Sequence, residues 1–166
     1  MKVVIDEIDV RLLNLLQADA SVANQDIAAA AHVSPATALR RIRRLEEAGL
    51  IERRIALLAP QQAGGLQALV EVQLDRQGVE HLDAFEALAV AEASVQQCWR
   101  VSPGPDFLLV AWVADMAAYN ALVQRLFTQH ANVRNVKTFF ATKRAKFEPR
   151  IEAAHLLVKT SGSPGP

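Results

Sequence analysis

The stretch SPATALRRIRRLEEAGLI, residues 34–51, contains a helix start, a helix stop, an apolar face and the chain's densest positive charge. Ser34 is a residue type that accepts hydrogen bonds from the first free N–H groups of a helix, and Pro35 suits the first helical position, where a missing N–H costs nothing. Leu39, Ile42 and Leu45 follow at helical spacing with Ala38 and Ala48 beside them, which predicts a core-facing side. Ala36, Thr37, Arg40, Arg41, Arg43, Arg44 and Glu47 fall on or near the opposite side, and Gly49 supplies the left-handed residue that commonly closes a helix. A small, polar, cationic helix face has the chemistry required in the DNA major groove, where early residues reach base edges and arginines meet phosphate or guanine. An arginine-rich face is also what a solvated helix looks like, so its neighbours in sequence decide between the two.

Upstream, Ile8, Leu12, Leu13, Leu15 and Leu16 predict an amphipathic helix capped by Asp6 or Asp9 and ending at Asp19-Ala20-Ser21. A short alanine-rich helix follows from about Asn24, and His32-Val33 make a tight turn into Ser34. Three helices within about forty residues, the last two joined by a tight turn, form the helix-turn-helix pattern. Downstream, residues 50–58 mix β-branched and charged side chains and read as a short hairpin or wing. Pro60 and the QQAGG run then mark a boundary.

Beyond that boundary the period changes from helical to alternating. Strands are expected over 66–75, 95–102, 107–113 and 133–142, with one helix after Gly78 and another capped by Asp115. The order β-α-β-β-α-β is the ferredoxin-like split βαβ arrangement, with one sheet face covered by helices and one open. Trp99, Phe107, Leu109, Trp112, Phe139 and Phe140 lie on these strands, and those facing away from the helices predict association between subunits. The class is therefore α+β. Residues 1–58 form a winged helix-turn-helix domain, 59–65 a linker, 66–147 a ferredoxin-like effector-binding and dimerisation domain, and 148–166 a C-terminal extension expected to be disordered from about 159.

Net charge is zero over 166 residues, yet Arg40, Arg41, Arg43, Arg44, Arg53 and Arg54 cluster within one short stretch, so the positive field is local. The single cysteine, Cys98, excludes an intrachain disulfide or a cysteine-rich zinc site. His32, His81, His130 and His155 are scattered without metal-ligand spacing, and no metal or cofactor is expected. No apolar run is long enough for a bilayer, and the early acidic residues of MKVVIDEIDV do not suit a signal peptide. A cytoplasmic, non-enzymatic protein is the expectation.

Residues 34–51, the connecting ALLAP segment, VSPGPDFLLVAWVADMAAY and VRNVKTF occur in an order that resembles the Lrp/AsnC (leucine-responsive/asparagine-responsive, feast-or-famine) transcription regulators. The resemblance spans about residues 6–146. It implies a regulator of amino-acid or related metabolism that binds double-stranded DNA as a homodimer or an assembly up to an octamer, with an amino-acid effector bound between subunits. By position in the motif, the DNA-contact candidates are Ser34, Ala36, Thr37, Arg40, Arg41 and Arg44, with Arg43 and Arg53 nearer the phosphates.

The effector region departs from the family pattern. Where relatives show a glycine shortly before Asp-Tyr or Asp-Phe, this chain has Ser102-Pro103-Gly104-Pro105-Asp106-Phe107, and prolines remove N–H donors and fix φ. Only the second hydroxyl of a T-x-T pair survives, as Thr138. The expected effector site is lined by Ser102, Gly104, Asp106 and Thr138, with Asp106 either meeting an α-ammonium group or capping its own turn. Two alternatives stand beside the regulator: a sensor or assembly module without DNA binding, and an enzyme resembling the siroheme decarboxylases. In the corresponding stretch the chain offers that enzyme Arg100 but no histidine.

Overall fold

The structure, a computed structural model, describes residues 3–158; the expected disorder from residue 159 lies outside them. The described residues form two compact units, 3–57 with 147–158, and 58–146.

In the first unit, α1 (Glu7–Ala18) begins at Asp6, whose carboxylate accepts from Ile8 and Asp9 N–H, while the Asp9 carboxylate accepts from Asp6 N–H. This reciprocal cap satisfies donors that the first turn leaves open. Helix α2 (Asn24–Ala30) ends where His32 adopts φ 58°, the left-handed region that a non-glycine residue enters at a cost of about 1 kcal/mol. Hydrogen bonds from His32 N–H to Ala29 O and from Val33 N–H to Ala28 O close that turn. Helix α3 (Pro35–Glu47) starts at Ser34, whose hydroxyl accepts Thr37 N–H at 3.2 Å. Gly49 at φ +71° lets Leu50 N–H return to Leu45 O and end it.

Leu12, Leu16, Ile27, Ala28, Ala31, Ala38 and Ile42 make one core cluster of this unit. A second joins Ile5, Leu13 and Leu45 to Ala153, which is 2 % exposed. Ala153 belongs to the C-terminal segment, just before a short helix, α7 (His155–Val158). The Gln17 side chain donates to Ile151 O at 3.0 Å and accepts from Ile151 N–H at 2.7 Å. The helix-turn-helix core is thus completed by residues about a hundred positions away from α3.

Two expectations are corrected here. Leu39 is 41 % exposed and lies off the core side, which Ala38, Ile42 and Leu45 form alone. At 100° per residue, Leu39 falls between the buried stripe and the arginines, and no neighbouring element covers it. Residues 50–57 form no hairpin: the segment has no strand partner within its unit, and Ile55 and Leu57 stay exposed.

The second unit opens with a short helix, α4 (Pro60–Ala63), then β1 (Leu66–Leu74), α5 (Val79–Ala91), β2 (Val95–Arg100), β3 (Phe107–Val113), α6 (Met116–Val123, continued by a π turn, Gln124–Thr128) and β4 (Val133–Phe140). The strands form one antiparallel sheet in the order β2-β3-β1-β4, the βαββαβ arrangement. Asp115 caps α6 through Ala118 N–H at 2.8 Å. Alternate strand residues divide cleanly. Ala68, Val70, Val72, Leu74, Phe107, Leu109, Ala111 and Val113 are buried with Phe85, Tyr119, Leu122, Leu126 and Phe127. Phe85 meets Phe107, and Tyr119 meets Phe140 edge-on, each at 4.9 Å between ring centroids. The opposite face carries Leu69, Trp99, Leu108 and Phe139, all exposed, with Val110 and Trp112 half-buried. Of the six aromatic and leucine positions singled out from the sequence, Trp99, Trp112 and Phe139 lie on this open face, and Phe107, Leu109 and Phe140 on the helix side, as strand register requires.

Candidate functional site

Helix α3 presents its charges in two groups. Arg41 Nη1 donates to Asp6 Oδ2 at 2.7 Å and to Asp9 Oδ1 at 2.9 Å, and Arg44 Nη2 donates to Asp9 Oδ2 at 2.5 Å. The Asp9 side chain is fully buried. Burial opposes ionisation of Asp6, but Asp9 N–H and the Arg41 guanidinium outweigh it and hold the carboxyl below the ordinary aspartate range. Arg41 is raised by Asp6 first and Asp9 second. These two arginines are tied to α1.

The second group faces outward. Ala36, Leu39, Arg40, Arg43, Arg44 and Glu47 line a shallow groove along the exposed side of α3. Arg40 and Arg43 have no ion-pair partner among the described residues, and Arg53 is 73 % exposed with only a loose approach to Glu52 at 3.8 Å. Arg54 pairs with Glu46 at 2.6 Å. Ser34 is spent as the cap, its hydroxyl also donating to Thr37 Oγ1 at 2.9 Å. The sequence candidates therefore separate into an outward set of Ala36, Arg40, Arg43 and Arg53, a capping pair of Ser34 and Thr37, and the carboxylate-held Arg41 and Arg44. Leu39 joins the outward set unforeseen, because its spacing matched the core stripe.

At the other candidate site, Ser102 is exposed and Gly104 adopts φ +122° with open space where a side chain would project. Asp106 straps the turn to β1: its N–H donates to Val72 O at 2.9 Å and its Oδ2 accepts Leu74 N–H at 2.7 Å. Thr138 lies elsewhere, on the helix-covered face opposite Val70, with its hydroxyl bonded to that of Tyr119. The structure thus keeps Ser102, Gly104 and Asp106 in one turn and does not bring Thr138 to them. Instead, Pro105 shares a small polar cavity with Glu71, Gln73, Asn135 and Lys137 at the edge of the open face. Glu71 and Lys137 are direct register partners on β1 and β4. The strand register sets them side by side.

Arg100 Nη2 lies 2.7 Å from both Asp83 and Glu86 on α5, and its guanidinium stands over the Phe107 ring. Desolvation first, then Glu86, push the half-buried Cys98 thiol up, away from the reactive thiolate. Among the described residues no helix is long and apolar enough to cross a membrane.

Family models match both units: a winged helix-turn-helix DNA-binding model over residues 5–52 and an Lrp/AsnC ligand-binding domain model over residues 67–151. The leucine-responsive regulatory protein of Salmonella typhimurium is 31 % identical over 157 residues, covering 94 % of this chain and 93 % of that protein. The crystal structure of an AsnC family transcriptional regulator from Agrobacterium tumefaciens superposes with a TM-score of 0.82 at 30 % identity, covering 91 % of this chain and 99 % of the other. A transcriptional regulator from Neisseria meningitidis in complex with L-methionine superposes with a TM-score of 0.83 at 29 % identity, covering 92 % and 99 %.

Proposed function

The chain belongs to the Lrp/AsnC family of DNA-binding transcription regulators, and on that premise we propose that it reads operator DNA through the outward face of α3 and answers to an amino acid held by its second unit. The observation that carries the DNA contacts is the division of the arginines: Arg40 and Arg43 stand outward without carboxylate partners among the described residues, beside the apolar Ala36 and Leu39, which allow close approach to base edges. Thr37 sits at the same N-terminal end, and the exposed Arg53 is assigned to a phosphate in this reading. Arg41 and Arg44 enter this reading as supports rather than as the leading contacts.

The exposed Leu69, Trp99, Leu108 and Phe139 support a homodimer formed through the open sheet face, since exposed apolar patches mark association surfaces. Two-fold dimers call for half-sites about one helical turn apart or a multiple of it. The effector reading rests on relatives: two solved neighbours, from Neisseria meningitidis and Mycobacterium tuberculosis, hold L-methionine. In this chain the Ser102–Asp106 turn is the effector region, with Asp106 as its strap. The arginine that the decarboxylase alternative would use, Arg100, is paired with Asp83 and Glu86. A regulator of this kind works in the cytoplasm, beside the DNA.

Fluorescence anisotropy tests the central point. A duplex selected by the protein from a random pool is compared with scrambled DNA across a salt series. Arg40→Ala is expected to cost about 1–3 kcal/mol on the selected site and less on scrambled DNA. Equal losses would reduce Arg40 to a phosphate contact, and no site preference in the wild-type protein would favour the sensor-only alternative.

A further inference from the structure

The Asp6–Asp9–Arg41–Arg44 cluster joins α1 to α3 around a fully buried carboxylate, that of Asp9, while the Asp6 and Arg44 side chains stay about half exposed. Asp6 caps α1 through Ile8 and Asp9 N–H, and the Asp9 carboxylate returns one bond to Asp6 N–H, a bond that an asparagine oxygen also accepts. Asp9 adds a fully buried carboxylate, and Arg41 keeps its Nε–H buried without an acceptor in order to place Nη1 between two carboxylates. Such an arrangement is a poor source of stability, since the desolvation of buried charges consumes most of their attraction and apolar side chains of similar volume do as well or better. What it provides is geometry. The contacts run from the first turn of α1 to the middle of α3, and they lock the rotation of α3 about its own axis.

We propose that Asp9 is a positioning residue for DNA recognition: by holding the Arg41 and Arg44 guanidinium groups against α1, it leaves Arg40 and Arg43 as the helix arginines free to extend into the groove. This rests on α3 being the DNA-reading helix. Arg44 is the sensitive member. Its side chain is 44 % exposed and lines the same groove as Arg40 and Arg43, yet its guanidinium is drawn back to Asp9. Released from that carboxylate, it finds its next strong acceptor in a DNA phosphate, an attraction indifferent to sequence.

The test is Asp9→Asn in the full chain, with Asp6→Asn as the second variant, because asparagine caps a helix as well as aspartate does. Both are measured on the selected duplex and on scrambled DNA over a salt series, with circular dichroism confirming the fold. For Asp9→Asn, scrambled-DNA binding is expected to hold or rise and its log–log salt slope to steepen by about 0.9, one additional phosphate. Binding to the selected duplex falls, so the specificity ratio drops roughly tenfold. Asp6→Asn, which loosens Arg41 alone, moves in the same direction by less. A merely structural Asp9 lowers both affinities together at constant ratio and slope, and that result overturns the proposal, as does no change in either. If Asp9→Asn fails to fold, an unchanged ratio and slope in Asp6→Asn overturns it. A wild-type protein with no site preference overturns the DNA reading itself, which separates that failure from this one.

Discussion

Replacing Ala153 by aspartate places a carboxylate among Ile5, Leu13 and Leu45, a hundred residues from the recognition helix in sequence. An isolated carboxylate does not stay charged in such a place, and the C-terminal segment is held by little, so the segment lets go instead. The cost is then bounded by what docking contributes. Ala153 buries one methyl, worth about 0.8 kcal/mol, and the partly buried Leu156 contributes about 1 kcal/mol more. The reciprocal bonds between Gln17 and Ile151 add about 1 kcal/mol each. Ordering the segment takes back about 1–2 kcal/mol for each residue fixed, so the net loss is at most about 2 kcal/mol. A unit of this size loses about 4–8 °C per kcal/mol, which caps the fall in its melting point at about 8–16 °C. Differential scanning calorimetry together with operator binding near the new midpoint reads the effect. The first unit's transition moves, and DNA binding fails at a temperature where the second unit remains folded. A variant that melts and binds as wild type would show that the segment contributes nothing to the helix-turn-helix core.

Other outcomes follow from the same geometry. Asp106→Ala removes the acceptor of Leu74 N–H and is expected to cost the second unit about 1 kcal/mol; if amino acids still raise the melting temperature of this variant by the wild-type amount, Asp106 does not hold an α-ammonium group. If the proposed homodimer forms through the open sheet face, Leu108→Glu sets like charges against each other across it and weakens association at least about tenfold, about 1.4 kcal/mol, in sedimentation velocity. An unchanged sedimentation profile removes the open face from the dimer. Acid titration separates the two units' carboxylates. The Asp6 and Glu92 carboxyls are depressed in the folded state, Glu92 chiefly by Arg125, so their stabilisation is complete above the unfolded pKa. It disappears as pH falls through the folded values, below about pH 4. Asp6→Asn should flatten that fall for the first unit only, and an identical acid profile in the variant contradicts its assignment.

Much of this molecule is written locally. The caps at Ser34 and Asp115, the stop at Gly49 and the alternation along β1 are short-range signals, and each appears in the structure where the sequence places it, while of the two caps offered for α1, Asp6 and Asp9, the structure uses Asp6. The element order and the family motifs follow from them, because period and turn chemistry require only a few neighbouring residues to be seen. The sequence by itself therefore determined the two folds, their order along the chain and the helix that carries the basic charge.

What only the tertiary structure decided is how neighbouring side chains divide their partners. Arg40 and Arg41, like Arg43 and Arg44, differ by one position, about 100° around the helix, and are chemically identical in sequence. Their roles diverge because α1 brings Asp9 to one side of α3 from more than thirty residues away. Thr138 turned toward Tyr119, Leu39 left the core stripe, and Ala153 entered the core of a unit to which its position in the chain did not assign it. Each of these depends on which surfaces meet across the fold, and a contact between distant residues leaves no periodic trace in either stretch of chain.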